Sequence, residues 1–207
     1  MKLQDFDHYY CINLKTREDR KKECQNIFFS LGLNVTFFEA IPGNTVKNVS
    51  TKISTGNIGC CMSHYKLWQE IQNKKYENVL IMEDDVEFHH NVAFLFENFY
   101  EEVPSDWELL YFGGNHCKEK LNFISEHIHK LKKTYTTHCY ALKQKTINYL
   151  LNRFNMDNLF KKEIDVNLSE VQNEIPSYGF YPHLAWQRIG FSDIENKHVN
   201  YSFLKEQ

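Results

Sequence analysis

Glycine and proline are scarce in this sequence, at 8 and 4 of 207 residues. No Pro/Gly/Ser-rich linker, internal repeat or low-complexity stretch interrupts it, so it is read as one domain over residues 1–207. No apolar run approaches the roughly 18 residues of a membrane-spanning helix. The N-terminal MKLQDFDHYYCINL lacks the apolar core of a secretion signal. Basic excess is missing too: a net charge of −3 gives no electrostatic footprint for nucleic acid. The six cysteines form no C-x-x-C pair, which argues for buried thiols and against a disulfide framework. The expectation is a cytoplasmic protein, with at most peripheral membrane association. Without a secretion signal, the N-x-S/T sequons at Asn34, Asn48, Asn167 and Asn200 read as chance matches.

Aromatics, by contrast, are plentiful: 16 Phe, 12 Tyr and 3 Trp supply a packed core. Apolar periodicity predicts strands over 8–14, 34–40, 79–82, 107–114, 135–143 and 177–182. Helices are predicted over 17–33, 57–73, 91–103, 144–154 and 165–173, with Gly32 as a C-cap. This alternation predicts an α/β fold with an open, mostly parallel sheet covered on both faces. Ligands of such sheets bind at the carboxyl ends of the strands.

One strand end stands out. VLIMEDDV (79–86) runs four apolar residues into Glu83, Asp84 and Asp85. Three adjacent carboxylates repel one another and tolerate a buried strand end if a cation neutralises them. Oxygen donors suit Mg²⁺ or Mn²⁺ shared with substrate phosphates; the bland alternative is a solvated acidic turn. Two further stretches favour an anionic substrate. INLKTREDR (12–20) brings Lys15, Arg17 and Arg20 to a helix start, where anions are welcome, or where the charges are merely surface. GNIGCCMSHYKLW (56–68) places two glycines and the Ser63–His64 pair early in a helix, which suggests close backbone approach. Tyr65 and Trp68 of the same stretch read as core. The histidines at 89, 90, 127 and 129 lack partners at zinc spacing and read as surface residues.

In this order and spacing, INLKTREDR, GNIGCCMSHYKLW and VLIMEDDV resemble glycosyltransferase family 25. THCYALKQKTINYLL, EIDVNL and YPHLAWQRIGFSDI extend the resemblance to about residues 8–194. It implies a GT-A fold, a UDP-sugar donor, a divalent cation such as Mn²⁺ or Mg²⁺, inverting transfer of a hexose, and a glycan acceptor. Glu83 and Asp85 match the ends of the family's D-x-D-type motif and are the expected metal acids, with His183 as a third ligand. Asp165 matches the family's aspartate and is the expected catalytic base; an N-cap is its alternative reading, and Glu163 and Glu170 are the alternative bases. The donor is expected to meet Asn13, Lys15, Arg17, Arg20, Ser63, His64, Asp84, Gln187 and Asp193. A metal-dependent nucleotidyl- or phosphotransferase is the competing enzyme class. Against it, no G-x-x-x-x-G-K-[ST] or glycine-rich phosphate loop is present. A non-catalytic interaction module is the third reading.

Overall fold

Strand and helix alternate from the start of the chain, and the apolar run 79–82 takes the middle of the sheet they build. The computed structural model describes residues 1–47, 49, 51–117 and 120–206. Its first half holds β1 (His8–Asn13), α1 (Glu18–Ser30), β2 (Val35–Glu39), α2 (Thr55–Gln72), β3 (Asn78–Glu83), β4 (Val86–Phe88) and α3 (Val92–Tyr100). There follow β5 (Leu109–Tyr111), β6 (Asn122–Phe123), β7 (Ile128–Lys130), β8 (Cys139–Lys143), α4 (Gln144–Arg153) and α5 (Ile164–Val171). The chain then forms β9 (Ser177–Phe180), β10 (Ala185–Gln187), β11 (Gly190–Ser192) and β12 (Lys197–Val199), and a 3₁₀ turn over Ser202–Glu206.

The main sheet has the order β2-β1-β3-β8-β5-β9-β7-β6. β1 pairs in parallel with β2 and β3, and β5 with β9. β8 runs antiparallel to β3 and β5, and β7 antiparallel to β9 and β6. Six of the eight strands therefore point one way, as the alternation predicted, and β8 and β7 oppose them. The reversal of β8 was not legible locally, because a strand buried on both faces looks alike in either direction.

β3 shows why its sequence has no polar alternation. Val79 and Ile81 face one core, with Trp68 and Ile71 of α2 and Ile147 of α4. Leu80 and Met82 face the other, with Phe28 of α1 and Phe96 of α3. Each burial is worth about 1.5–3 kcal/mol. Helices thus cover both faces, and Glu83 emerges where the apolar run stops.

Two start and stop signals explain the neighbouring helices. Gly32 at φ +66° closes α1 in the left-handed region, as predicted. α2 begins two residues earlier than its periodicity suggests, because the Ser54 side chain accepts from the Asn57 backbone N–H at 3.2 Å. Two small pairings were not foreseen. β4 pairs antiparallel with β10, and β11 with β12, so residues 185–199 fold back onto the acidic turn. Cys11, Cys24, Cys61 and Cys139 are buried free thiols, whereas Cys117 is exposed, against expectation. His129 is also buried rather than on the surface. The Asn167 sequon is inside, its amide donating to the Leu159 carbonyl at 2.9 Å; the sequon at Asn48 lies outside the described residues.

Candidate active site

Glu83 is the last residue of β3, and Asp84 and Asp85 form the two-residue turn into β4. The fold gives each carboxylate a different environment. Glu83 Oε1 accepts from Thr137 Oγ1 and stands 3.2 Å from His64 Nε2. Burial pushes the Glu83 carboxyl up, but the hydrogen bonds from His64 and Thr137 outweigh it and hold it below its ordinary value. Trp68 Nε1 donates to the Tyr140 hydroxyl oxygen at 3.2 Å, and Tyr140 lies 2.7 Å from His64 Nδ1. The Tyr140 proton therefore goes to His64 Nδ1, which leaves the His64 Nε2–H to donate to Glu83.

Asp84 turns the other way. Its Oδ1 pairs with Arg20 at 2.5 Å and its Oδ2 accepts from Asn13 Nδ2 at 2.8 Å. Burial still raises its carboxyl above the ordinary value, against Arg20 and Asn13. Asp85 is the least satisfied of the three. Its Oδ1 is buried with no hydrogen-bond partner, and the contact of its Oδ2 with Gln187 Nε2 is long at 3.5 Å. Burial, then the charges of Glu83 and Asp84, push its carboxyl up to about 7. A buried oxygen without a partner beside a second carboxylate is where a cation fits.

These acids stand at one wall of a cleft of about 630 Å³, within the range of small-molecule sites. Thr16 and Arg20, the segment from Ala40 to Asn44, the first turns of α2, and Ser192 to Asn196 complete it. The helical glycines are explained by protein backbone: a Cβ on Gly59 would stand 2.7 Å from the Ile41 carbonyl oxygen, and one on Gly56 2.6 Å from Ile194 Cα. They let the 41–43 segment and the segment after β11 seat on α2 and form the walls. Ser63 fastens the same seam, accepting from the Ile41 N–H at 2.8 Å and donating to the Gly59 carbonyl at 2.7 Å.

The structure thus sorts the expected residues. Arg20, Ser63, His64, Glu83, Asp84, Asp85 and Asp193 line the cleft. Asn13 holds Asp84 rather than lining the space. Arg17 pairs with Asp19 and Asp193, bridging α1 to the segment after β11. Lys15 is exposed outside the cleft, where its neighbour Thr16 takes the wall position.

His183 is a correction. Its Nδ1 donates to the Leu204 carbonyl at 2.8 Å, and its Nε2 lies 2.9 Å from His116 Nε2. Nδ1 is used in holding the tail and the Nε2 lone pair in accepting from His116, so no lone pair remains for a cation. A grouping that the sequence did not suggest is Cys60, His64 and Glu83, whose ligand atoms lie within 4.8 Å of one another. Burial pushes the Cys60 thiol well up, so it stays protonated. With His64 Nε2 committed to Glu83, Glu83 and Asp85 are the oxygen donors that could hold a cation.

Asp165 sits in the first turn of α5, but Glu163 holds the N-cap position. Its Oδ2 accepts from the Thr136 N–H at 3.2 Å and its Oδ1 from the Val166 N–H at 2.8 Å. Burial raises its carboxyl above the ordinary value, opposed by those two N–H groups and reinforced by Glu83. The charge of Glu83 reaches it although 82 residues separate them in sequence, so the fold brings the two together. Glu170 is exposed and paired with Lys162, which removes it as an alternative base. Sequence reasoning missed Tyr140, Thr137 and Thr16. The one available signal was a tyrosine in an otherwise apolar strand, whose hydroxyl needs a partner when buried.

A family model described as glycosyltransferase family 25 (LPS biosynthesis protein) matches residues 6–167. Procollagen galactosyltransferase 2 of Homo sapiens is 29% identical over 137 residues, covering 56% of this chain and 22% of its own length. A glycosyltransferase 25 family member of Aedes aegypti is 31% identical over 136 residues, covering 54% and 22%. A Bos taurus relative named probable inactive glycosyltransferase 25 family member 3 is 24% identical over 161 residues, covering 66% and 27%. The chain therefore matches less than a third of the length of each relative. The crystal structure of a glycosyltransferase involved in the glycosylation of the major capsid of PBCV-1 superposes with a TM-score of 0.52. At 12% identity it covers 91% of this chain and 96% of its own, which shows a shared fold.

Proposed function

The chain belongs to glycosyltransferase family 25, and from that premise we propose that it transfers a hexose from a UDP-sugar to a hydroxyl of a glycan acceptor. Galactose is the favoured sugar, since the matched human relative is named a galactosyltransferase. The observation that carries this reading is Asp85, a residue of the cleft wall whose buried Oδ1 has no hydrogen-bond partner and whose carboxyl is pushed up by burial and then by the charge of Glu83. A diphosphate brought to these carboxylates is repelled unless a cation lies between them. Glu83 and Asp85 offer oxygen donors, which suit Mn²⁺ or Mg²⁺. Bound there, the cation would neutralise charge on the departing nucleotide.

The chain's own residues supply the rest. His64, fixed by Tyr140, orients Glu83. Arg20 and Asn13 hold Asp84, so the turn presents Asp85 in one geometry. Asp165, with its raised pKa, takes the proton of the acceptor hydroxyl as the sugar is attacked. A base on the face opposite the leaving group gives inversion.

The test is UDP binding by calorimetry with Mn²⁺ and under EDTA, beside UDP release from UDP-galactose and UDP-glucose with a saccharide acceptor. Asp85→Asn should keep the fold and lose metal-dependent UDP binding. Equal affinity with and without Mn²⁺ would overturn the cation bridge. Metal-dependent UDP binding with no release from any nucleotide sugar would mark a non-catalytic relative.

A further inference from the structure

The far edge of the sheet carries a second surface that the cleft does not use. β6 is the edge strand, joined to β7 by a short turn, with Phe123 opposite His129 in register. Phe123 is 46% exposed and Ile124, in the turn, 45%. Tyr181 packs edge-on against Phe123, ring centres 5.1 Å apart, and is itself 37% exposed. Beside these lie Lys120, Lys130, Lys132 and Lys133, all exposed, around a depression of about 20 Å³. None of the four has an ion pair among the described residues. The opposing charges are Glu126 in the turn, Glu102, which accepts from the His127 N–H there, and Glu170, which borders Lys132 and Lys133 and is paired with Lys162. At the base of the depression His129 is 1% exposed and its Nε2 has no partner.

Edge strands often carry lysine to block pairing with another chain. That explains Lys130. It does not explain Lys120, Lys132 and Lys133 outside the strands, nor apolar side chains left bare beside them. Aromatic and aliphatic tips next to a row of lysines match the boundary between acyl chains and anionic headgroups.

We propose that the β6–β7 hairpin, with the lysines around it and Tyr181, docks this protein on the surface of an anionic lipid bilayer. Five strand spacings separate β6 from β3, about 24 Å at the usual separation. The cleft therefore stays open to solvent when the hairpin is seated, and docking is separable from chemistry at the acidic turn.

Co-sedimentation tests this with vesicles of phosphatidylcholine alone and of phosphatidylcholine mixed with phosphatidylglycerol. The full chain should partition onto the mixed vesicles only, and added salt should release it. Each lysine near the surface is worth about fivefold in partition. K132E/K133E should therefore lose at least tenfold, and Phe123→Ser should bind more weakly than wild type at low salt. Melting temperature and nucleotide binding should not change, because neither variant touches the cleft. Equal binding to both vesicle types, no binding to either, or variants that bind like wild type would each overturn the proposal. So would a dimer in sedimentation velocity that Phe123→Ser abolishes, which would make the hairpin a protein interface. Competition of a nucleotide-free anion such as inorganic phosphate for the lysines, without vesicle binding, would make it a free-anion site instead.

Discussion

His64 and Glu83 meet across 3.2 Å, and the proton between them is fixed from behind by Tyr140. The chain from Trp68 through Tyr140 and His64 runs in one direction, each group donating to the next and the last to the carboxylate. Tyr140→Phe removes the middle member. The His64 Nδ1 lone pair then has no donor, and the Trp68 N–H loses its acceptor. The loss of stability should be about 1–3 kcal/mol, the usual cost of a buried unsatisfied group. A packing role alone would stop there. If the relay orients Glu83, Mn²⁺ affinity measured by calorimetry should fall as well. Unchanged affinity in a folded Tyr140→Phe variant would show that Glu83 needs no such support.

The three cations of the first loop should separate by stability. Arg20 and Asp84 are 12% and 10% exposed at the side chain, and the pair is partly desolvated. Arg20→Ala leaves Asp84 without its cation and should cost about 3–5 kcal/mol in urea unfolding. Adding Asp84→Asn should recover a large part of that loss, because the buried charge is gone. Arg17 pairs with Asp19 and Asp193 nearer solvent, so Arg17→Ala should cost about 1 kcal/mol or less. Lys15→Ala should be silent. Equal losses at Arg17 and Arg20 would contradict this ordering.

Acid should loosen the tail at the histidine pair. Thr134 Oγ1 lies 2.9 Å from His116 Nδ1 and donates to it; His116 Nε2–H then donates to His183 Nε2, and His183 Nδ1–H to Leu204. Every site in this chain is filled with both rings neutral. Burial pushes His116 down to about 3 and His183 down to about 4, with His129 and, for His183, His138 adding repulsion. An unfolded histidine titrates near 6.5. The unfolded chain therefore binds more protons below that value, and stability falls as pH drops from about 6.5 toward 4. Melting temperature followed from pH 7 to pH 4 should decline, and His183→Gln should flatten the slope. A slope that His183→Gln leaves unchanged would place the acid sensitivity elsewhere.

The sequence made some of this site legible and hid the rest for physical reasons. The run Val79 to Met82 announces a buried strand because burial on both faces needs continuous apolar residues. Its acidic end therefore marks a strand terminus without any structure. Gly56 and Gly59 signalled a close approach, but the approaching partners, Ile41 and Ile194, are distant in sequence. Arg20 and Asp84 are 64 residues apart, and His64 and Tyr140 are 76 apart. Such pairs follow from strand order, which periodicity does not specify. His183 illustrates the opposite error: a histidine near an expected site is as readily committed to the backbone of its own tail.

Asp165 gives the most demanding prediction, because the structure changes what its substitution means. An N-cap would tolerate Asn with little loss. Here the two carboxylate oxygens each accept a backbone N–H, from Thr136 at 3.2 Å and Val166 at 2.8 Å. An amide has one acceptor oxygen, so Asp165→Asn sets an NH₂ against one of those donors. The variant should lose about 1–3 kcal/mol of stability whatever its role in chemistry. Rate and stability must therefore be read together, at a temperature where the variant is fully folded. If Asp165 takes the acceptor proton, turnover with saturating donor and acceptor should fall by about 10²- to 10⁴-fold. UDP affinity with Mn²⁺ should stay near wild type, because Asp165 does not line the donor cleft. A second variant removes the remaining ambiguity. Asp165→Glu keeps a carboxylate but moves it by one methylene, so it should retain more activity than Asn while disturbing the same N–H partners. Asn and Glu variants with equal stability and equal, near-wild-type turnover would take Asp165 out of the mechanism and leave Glu163 as the carboxylate to test.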